Sequence, residues 1–310
     1  YDGTASSLLV EPERTNQSTR SNELDLWTSK VNMTTTPSYS LSPDGSINSN
    51  RLLFSGDGYT HNSLSQLSST VYSVSIYAKR NSGSGDVGFF VNGSGTVDSV
   101  FSLTSEWQRF DYTYTSTNTS ITGIAGVSGA DVSVYGFQRE EGSYATSYIP
   151  TDGGTVTRIQ DQYSKTGISN LINSEEGVLF VEMAALSNDL TNRSITISDG
   201  STNNIIQILF SSVSNTIRFI IRVGGVGGDN LDKSTTTYTV TDFNKVALKW
   251  KQNDAQVWIN GTQLGSPDTN SDVPTGLNDL SFEYLTVGNN FYGKVKQLQV
   301  YKTTDIDLAA

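Results

Sequence analysis

Apolar and polar residues alternate along short runs of this chain, and wherever the period is clear it is two. In Val71-Tyr-Ser-Val-Ser-Ile-Tyr-Ala78, Val74 and Ile76 fall on one face and Ser73 and Ser75 on the other, the mark of a half-buried strand. Similar runs predict strands at Val87–Val91, Trp107–Thr115, Val132–Phe137, Gly177–Met183, Ile205–Phe210, Ile217–Val223, Val246–Lys251, Val257–Asn260, Ser281–Val287 and Lys294–Tyr301. No window of comparable strength has the helical period. Asn92-Gly93 and Asn260-Gly261 lie between apolar runs and supply the positive φ angles of tight hairpins. From Thr151 to Leu171 the alternation stops around Asp152-Gly153-Gly154. A linker is therefore expected at 153–170, between one domain over 1–152 and another over 171–310. The halves share no repeat, so the expectation is all-β with two different sandwiches rather than a solenoid.

Composition narrows the picture. A chain of 310 residues can bury two ordinary cores, and only 16% of it is charged while Ser, Thr, Asn and Gly abound, as in sheets joined by turns. It has no cysteine, which excludes thiol chemistry and cysteine metal sites. The net charge of −11, from 31 acidic and 20 basic residues, opposes nucleic acid or anionic membrane as partners. No apolar run reaches the roughly 20 residues that span a bilayer as a helix. The chain opens at Tyr1 with neither Met nor a basic-then-apolar leader, as expected of a piece trimmed from a longer polypeptide.

Few residues point to chemistry. Cleavage of a glycosidic bond by paired carboxylates needs two acids facing one cleft. Glu140-Glu141 and Glu175-Glu176 are adjacent pairs, whose members on a strand would point to opposite faces. A lyase would draw on His61, the single histidine, in Gly58-Tyr-Thr-His-Asn62, which reads as a polar loop with no assignable arginine partner. No Gly-x-Ser-x-Gly elbow is present. Structural Ca²⁺ in a rim loop would use Glu11, Glu13 and Asp111 in the first domain, or Asp229 and Asp232 in the second, though the repeated-acid loop of an EF-hand is missing. Sugar binding needs an exposed ring flanked by amides or acids. The best local combinations are Asn289, Asn290, Phe291 and Tyr292, and, in the first domain, Tyr59, His61 and Asn62. At Phe291-Tyr292, consecutive strand residues should send one ring inward and the other out. Trp107, Phe110 and Trp250 read as core aromatics.

Leu8-Leu-Val-Glu-Pro-Glu-Arg-Thr-Asn16, Trp27-Thr-Ser-Lys30, Ser42-Pro-Asp-Gly45, Tyr77-Ala-Lys79, Trp107-Gln-Arg-Phe110 and the closing segment Gly136 to Arg158 follow one another in the first half. In that order they resemble the jelly-roll, carbohydrate-binding-module-like domain of phage tail-fibre and virion adhesion proteins. The second half carries Glu175-Glu-Gly-Val-Leu-Phe-Val-Glu182, Ile197-Ser-Asp-Gly200, Lys245 to Asp254, Val257-Trp-Ile-Asn-Gly261 and Phe291 to Lys302. This set is similar to the laminin-G/concanavalin A-like sandwiches of phages of Bacteroidetes-type hosts. The resemblance implies a protein on the virion surface that binds host-surface polysaccharide without catalysis and contacts other virion proteins. It implies a homotrimer too, although no coiled-coil heptad is visible. A ligand-free spacer or decoration protein, and a polysaccharide lyase or hydrolase, remain open alternatives.

Overall fold

The computed structural model describes residues 7–62, 66–117, 119, 121–225, 231–284 and 289–308. The strands of the first half are β1 (Leu8–Val10), β2 (Arg14–Asn16), β3 (Ser29–Thr36), β4 (Asn50–His61), β5 (Val71–Ser82) and β6 (Val87–Phe90). They continue with β7 (Ser99–Val100), β8 (Gln108–Thr115), β9 (Gly123–Gly126), β10 (Asp131–Glu141) and β11 (Val156–Arg158). In the second half follow β12 (Ser164–Lys165), β13 (Glu176–Ala185), β14 (Arg193–Ser198), β15 (Ile205–Phe210), β16 (Ile217–Arg222) and β17 (Leu231–Thr235). The last are β18 (Asn244–Lys251), β19 (Gln256–Ile259), β20 (Thr262–Gln263), β21 (Asp279–Ser281) and β22 (Gly293–Tyr301). Among the described residues the one helical element is a 3-10 turn at Leu24–Leu26. The fold is all-β, as the alternation predicts.

The chain forms two units, divided at Ile159/Gln160 within the expected 153–170, but the first residues go with the second unit. Glu13–Ile159 make one, and the residues up to Pro12 join Gln160–Ala310 in the other. We call them the inserted and the split unit. β1 pairs with β22, Leu8 opposite Val295 and Val10 opposite Gly293, and Val10 is fully buried in the core of the split unit. The segment expected as a linker is structured: β11 pairs with β2, β12 pairs with β21, and Ile168 joins a core. Strands of two or three residues are too short to show a period, so their partners decide them.

In the inserted unit the strands run β7-β6-β9-β4-β10-β5-β8, with β3 beside β4. β4 joins the two ends of this sheet, its start pairing with β10 and its end with β9. It bends at Gly56-Asp57-Gly58, opposite a register shift in β3 where Asn32 has φ 51°. A Cβ on Gly58 would lie 2.0 Å from the Val31 carbonyl oxygen, so only glycine permits this approach. Across the core, Phe89 of β6 meets Phe101 at 4.7 Å and Phe137 of β10 at 6.3 Å, while Trp27 packs edge-on against Phe137 at 5.0 Å.

The closing segment is turned inward. The buried Glu140 carboxylate accepts hydrogen bonds from Thr146 N (2.8 Å), Thr146 Oγ1 (2.5 Å) and Gln138 Nε2 (2.7 Å). Gln138 Oε1 accepts from Ile149 N at 2.6 Å, and Asn16 Nδ2 donates to Ile149 O at 2.8 Å. These polar residues hold the end of the unit against β2 and β10. Buried polar groups satisfied by one another fix register rather than ligand.

The split unit is a sandwich of two six-stranded sheets, β1-β22-β13-β18-β19-β20 and β12-β21-β14-β15-β16-β17. Leu179, Val181, Val246, Leu248 and Trp250 of the first meet Ile195, Ile197, Ile206, Ile208 and Phe219 of the second in one core. Asn260 (φ 49°) and Gly261 (φ 77°) close the two-residue hairpin from β19 to β20. Asn92 and Gly93 also turn with positive φ, within a longer connection between β6 and β7.

Candidate functional site

The expected sugar site in the second domain is not an exposed one. Phe291 is fully buried, stacked on Phe210 (5.9 Å) and edge-on to Phe282 (5.5 Å). Tyr292 is 9% exposed, with the Arg193 guanidinium 4.8 Å from its ring centre and its hydroxyl bonded to Gln160. Asn290 Nδ2 donates to Gln160 (2.9 Å) and Tyr292 Oη (3.2 Å), and Asn289 O accepts from Ser194 N (3.2 Å). The alternation argument fails because both rings precede β22, in a segment outside any regular strand, where an isolated bridge joins Asn290 to Ser194 and Phe291 N donates to Phe282 O (2.7 Å).

In the inserted unit, His61 is not in a loop but ends β4, and it is 9% exposed. Burial lowers its pKa, so the imidazole is neutral at pH 7. Tyr59 is half-buried and stacked on His61 at 6.0 Å, Phe90 packs on both rings, and Asn62 Nδ2 donates to Thr19. The gap in alternation made by Gly56, Asp57 and Gly58 disguised the strand.

The candidate calcium ligands are spread out. Glu11 is buried in the split unit, whereas Glu13 and Asp111 are exposed in the inserted one. Asp232 is held by Arg218 in a two-point ion pair (2.8 and 2.5 Å), and Asp229 lies outside the described residues. Among the described residues no group of three or more acids or histidines is placed to hold a metal. Of the expected core aromatics, Trp250 is fully buried and Phe110 stacks on Phe101 at 4.7 Å. Trp107 is half-buried instead, under Lys79 at 5.1 Å.

The arrangement that does combine rings with polar groups lies on the outer face of the β1-β22-β13-β18-β19-β20 sheet. Because Leu179, Leu248 and Val257 face the core, their neighbours Phe180, Ala247 and Trp258 face out. Pairing aligns Gln299, Phe180, Ala247, Trp258 and Gln263 in one row across five strands. Ala247 is the small member between two half-buried rings, which stand roughly 10 Å apart across two strand spacings. The result is a groove of about 190 Å³, lined also by Lys245, Gln297 and Tyr301 and, from the segment after β22, by Ile306, Asp307 and Leu308. Thr304 Oγ1 ties that segment to Glu176 at 3.0 Å.

A chain of donors fixes the Trp258 ring. Its indole N–H donates to Gln256 Oε1 (3.1 Å), Gln256 Nε2 to Asp254 Oδ1 (2.7 Å), and Lys249 Nζ to Asp254 Oδ2 (2.7 Å). Burial opposes ionisation of Asp254, but Lys249 and Gln256 outweigh it and hold the carboxyl below its ordinary pKa. A ring locked in this way offers a flat apolar face at little entropic cost, with amides beside it for hydroxyl groups. Among the described residues the lining contains one carboxylate, Asp307, and so no pair of acids set across a bond. By contrast, the hollow of about 370 Å³ lined by Glu13, Arg14, Thr15, Gln17 and Glu141 has no ring in its lining.

Sequence reasoning passed over Trp258. One signal was present: in Val257-Trp-Ile259 the tryptophan has the parity opposite to its two core-facing neighbours.

No family model and no curated protein matches the chain. Among solved structures, the CBM40 of the Ruminococcus gnavus IT-sialidase is similar at 15% identity over 47% of this chain and 94% of its own, with a TM-score of 0.38. A leech intramolecular trans-sialidase is similar at 16% identity over 47% of this chain and 24% of its own, with the same TM-score of 0.38. The C-terminal CBM6 of LamC, a laminarinase from Zobellia galactanivorans, is similar at 14% identity over 42% of this chain and 99% of its own, with a TM-score of 0.29. Likeness at these identities and scores carries neither ligand nor activity to this chain.

Proposed function

We propose that this chain is a non-catalytic glycan-binding part of a virion adhesion or fibre protein, and that host-surface polysaccharide lies in the groove of the split unit. The observation behind the binding role is the fixed Trp258 ring beside Ala247, with Gln297 and Gln299 in the same lining. A pyranose has an apolar C–H face and a rim of hydroxyls, and this lining answers both. The virion setting rests on the sequence resemblance of both halves.

A glycan array probed with the chain and with Trp258→Ala tests the reading. The expected result is binding that falls roughly tenfold in the variant with an unchanged melting temperature. Equal binding by both proteins moves the site elsewhere, and no binding by either favours a spacer. Incubation with polysaccharides, followed by reducing ends and unsaturated-product absorbance, checks for catalysis. Turnover would replace the binding role with an enzymatic one.

A further inference from the structure

We infer that the groove selects a neutral, hydroxyl-rich glycan and rejects uronate-bearing polymers. The inference rests on the glycan-binding reading and adds its substrate class. The polar groups of the lining decide it: Gln297, Gln299, Lys245 and Asp307 amount to two amides and one charge of each sign.

Among the described residues Lys245 is the one cation in that lining, and carboxylates stand beside it. Glu182 stands directly opposite it in the β13–β18 register, and Asp307 lies in the same groove. Three other lysines of this sheet are engaged with acids: Lys249 with Asp254 (2.7 Å), Lys251 with Glu176 (2.9 Å) and Lys296 with Glu182 (3.3 Å). Among the described residues no arginine lines the groove to grip a carboxylate at two points. An anionic sugar would meet a lining in which the Lys245 ammonium is matched by the Asp307 carboxylate, so its charge would find no net cation there. A polyanion would also approach a chain of net charge −11 against the long-range field. A neutral sugar meets neither cost. Its hydroxyls take the amides, the Lys245 ammonium as donor and the Asp307 carboxylate as acceptor, while its ring covers Trp258.

Titration of the full chain with neutral polysaccharides (a glucan, a mannan, a galactan) and with alginate and polygalacturonate, each at low and high salt, tests the inference. The expected result is that at least one neutral polymer binds with an affinity that changes less than about twofold with salt, because no net charge is paired. Asp307→Asn should weaken that binding several-fold and Trp258→Ala should weaken it more, with melting curves unchanged. Alginate or polygalacturonate should bind at least about tenfold more weakly. Tight uronate binding that salt weakens and Lys245→Gln abolishes would overturn the neutral class while leaving the glycan reading intact. Failure of every polymer of both classes to bind would overturn the glycan reading itself.

Discussion

Asp131 ties three side chains to one carboxylate inside the inserted unit. Arg51 of β4 reaches it with Nε (2.9 Å) and Nη2 (2.7 Å), and from β5 Asn81 Nδ2 (3.0 Å) and Ser82 Oγ (2.9 Å) donate as well. These donors, Arg51 foremost, outweigh burial and lower its pKa from 3.8 to about 2. A depressed folded-state pKa means that the unfolded chain binds the proton more readily. The stabilisation is therefore complete above pH 3.8 and fades as pH falls toward 2. Asp131→Asn should cost roughly 2 kcal/mol at neutral pH, and the gap in urea midpoint between variant and wild type should close between about pH 4 and pH 2. A gap independent of pH would mean that shape rather than charge holds the three strands together. At the same scale, His61 is held neutral by burial. Its lowered pKa makes it a second source of acid sensitivity, one that begins near the ordinary histidine value of 6.5 and grows as pH falls. In the Asp131→Asn variant this softening should persist, so the two groups separate by the pH at which each acts.

β4 is the element on which the inserted sandwich turns, and its bend depends on the absence of a side chain. A Cβ at Gly58 would sit 2.0 Å from the Val31 carbonyl oxygen, a backbone atom with no rotamer to yield. Gly58→Ala should therefore destabilise the inserted unit by roughly 2–4 kcal/mol, whereas Gly154→Ala, where no atom lies within 4 Å of the new Cβ, should change little. Melting curves of the two variants measure the contrast, and equal curves would mean that β3 and β4 separate at no cost. The same bend explains what was legible in the sequence. Ile205–Phe210 is a strand to the residue because both of its faces are buried and no glycine interrupts it. β4 was invisible because Gly56, Asp57 and Gly58 break its period in the middle, and β11 and β12 are too short to have one. Asn260-Gly261 was legible because positive φ at both positions is a local requirement. The groove was not. Its row joins residues 299, 180, 247 and 258, which only strand pairing brings together, whereas the sought sugar site was four consecutive residues, both of whose rings the fold turned inward.

For the whole molecule, the decisive feature is that the first strand belongs with the last. Residues 13–159 contain every pairing partner of β2 to β11 and a core of their own, so this fragment should fold alone and melt in one cooperative step. Residues 160–310 alone should not match the split unit. Without β1 they lose three paired positions on β22 and the buried Val10 side chain, and they expose the edge of β22. Burial of a valine contributes about 2 kcal/mol, and the lost strand bonds add to it, so a deficit of roughly 3 kcal/mol is expected. The remedy follows from the hydrogen bonds at the chain crossing. Asp161 N donates to Glu11 O at 2.9 Å, and Glu11 N donates to an Asp161 carboxylate oxygen at 2.9 Å, so the two segments already run side by side. A chain in which a short Gly-Ser bridge joins Pro12 to Gln160 in place of 13–159 should regain the lost stability. Urea unfolding of the 160–310 fragment and of the bridged chain tests this directly. Equal midpoints would show that β1 adds nothing to the split unit, and a boundary near residue 152 would then serve as well as the crossing at Pro12 and Gln160.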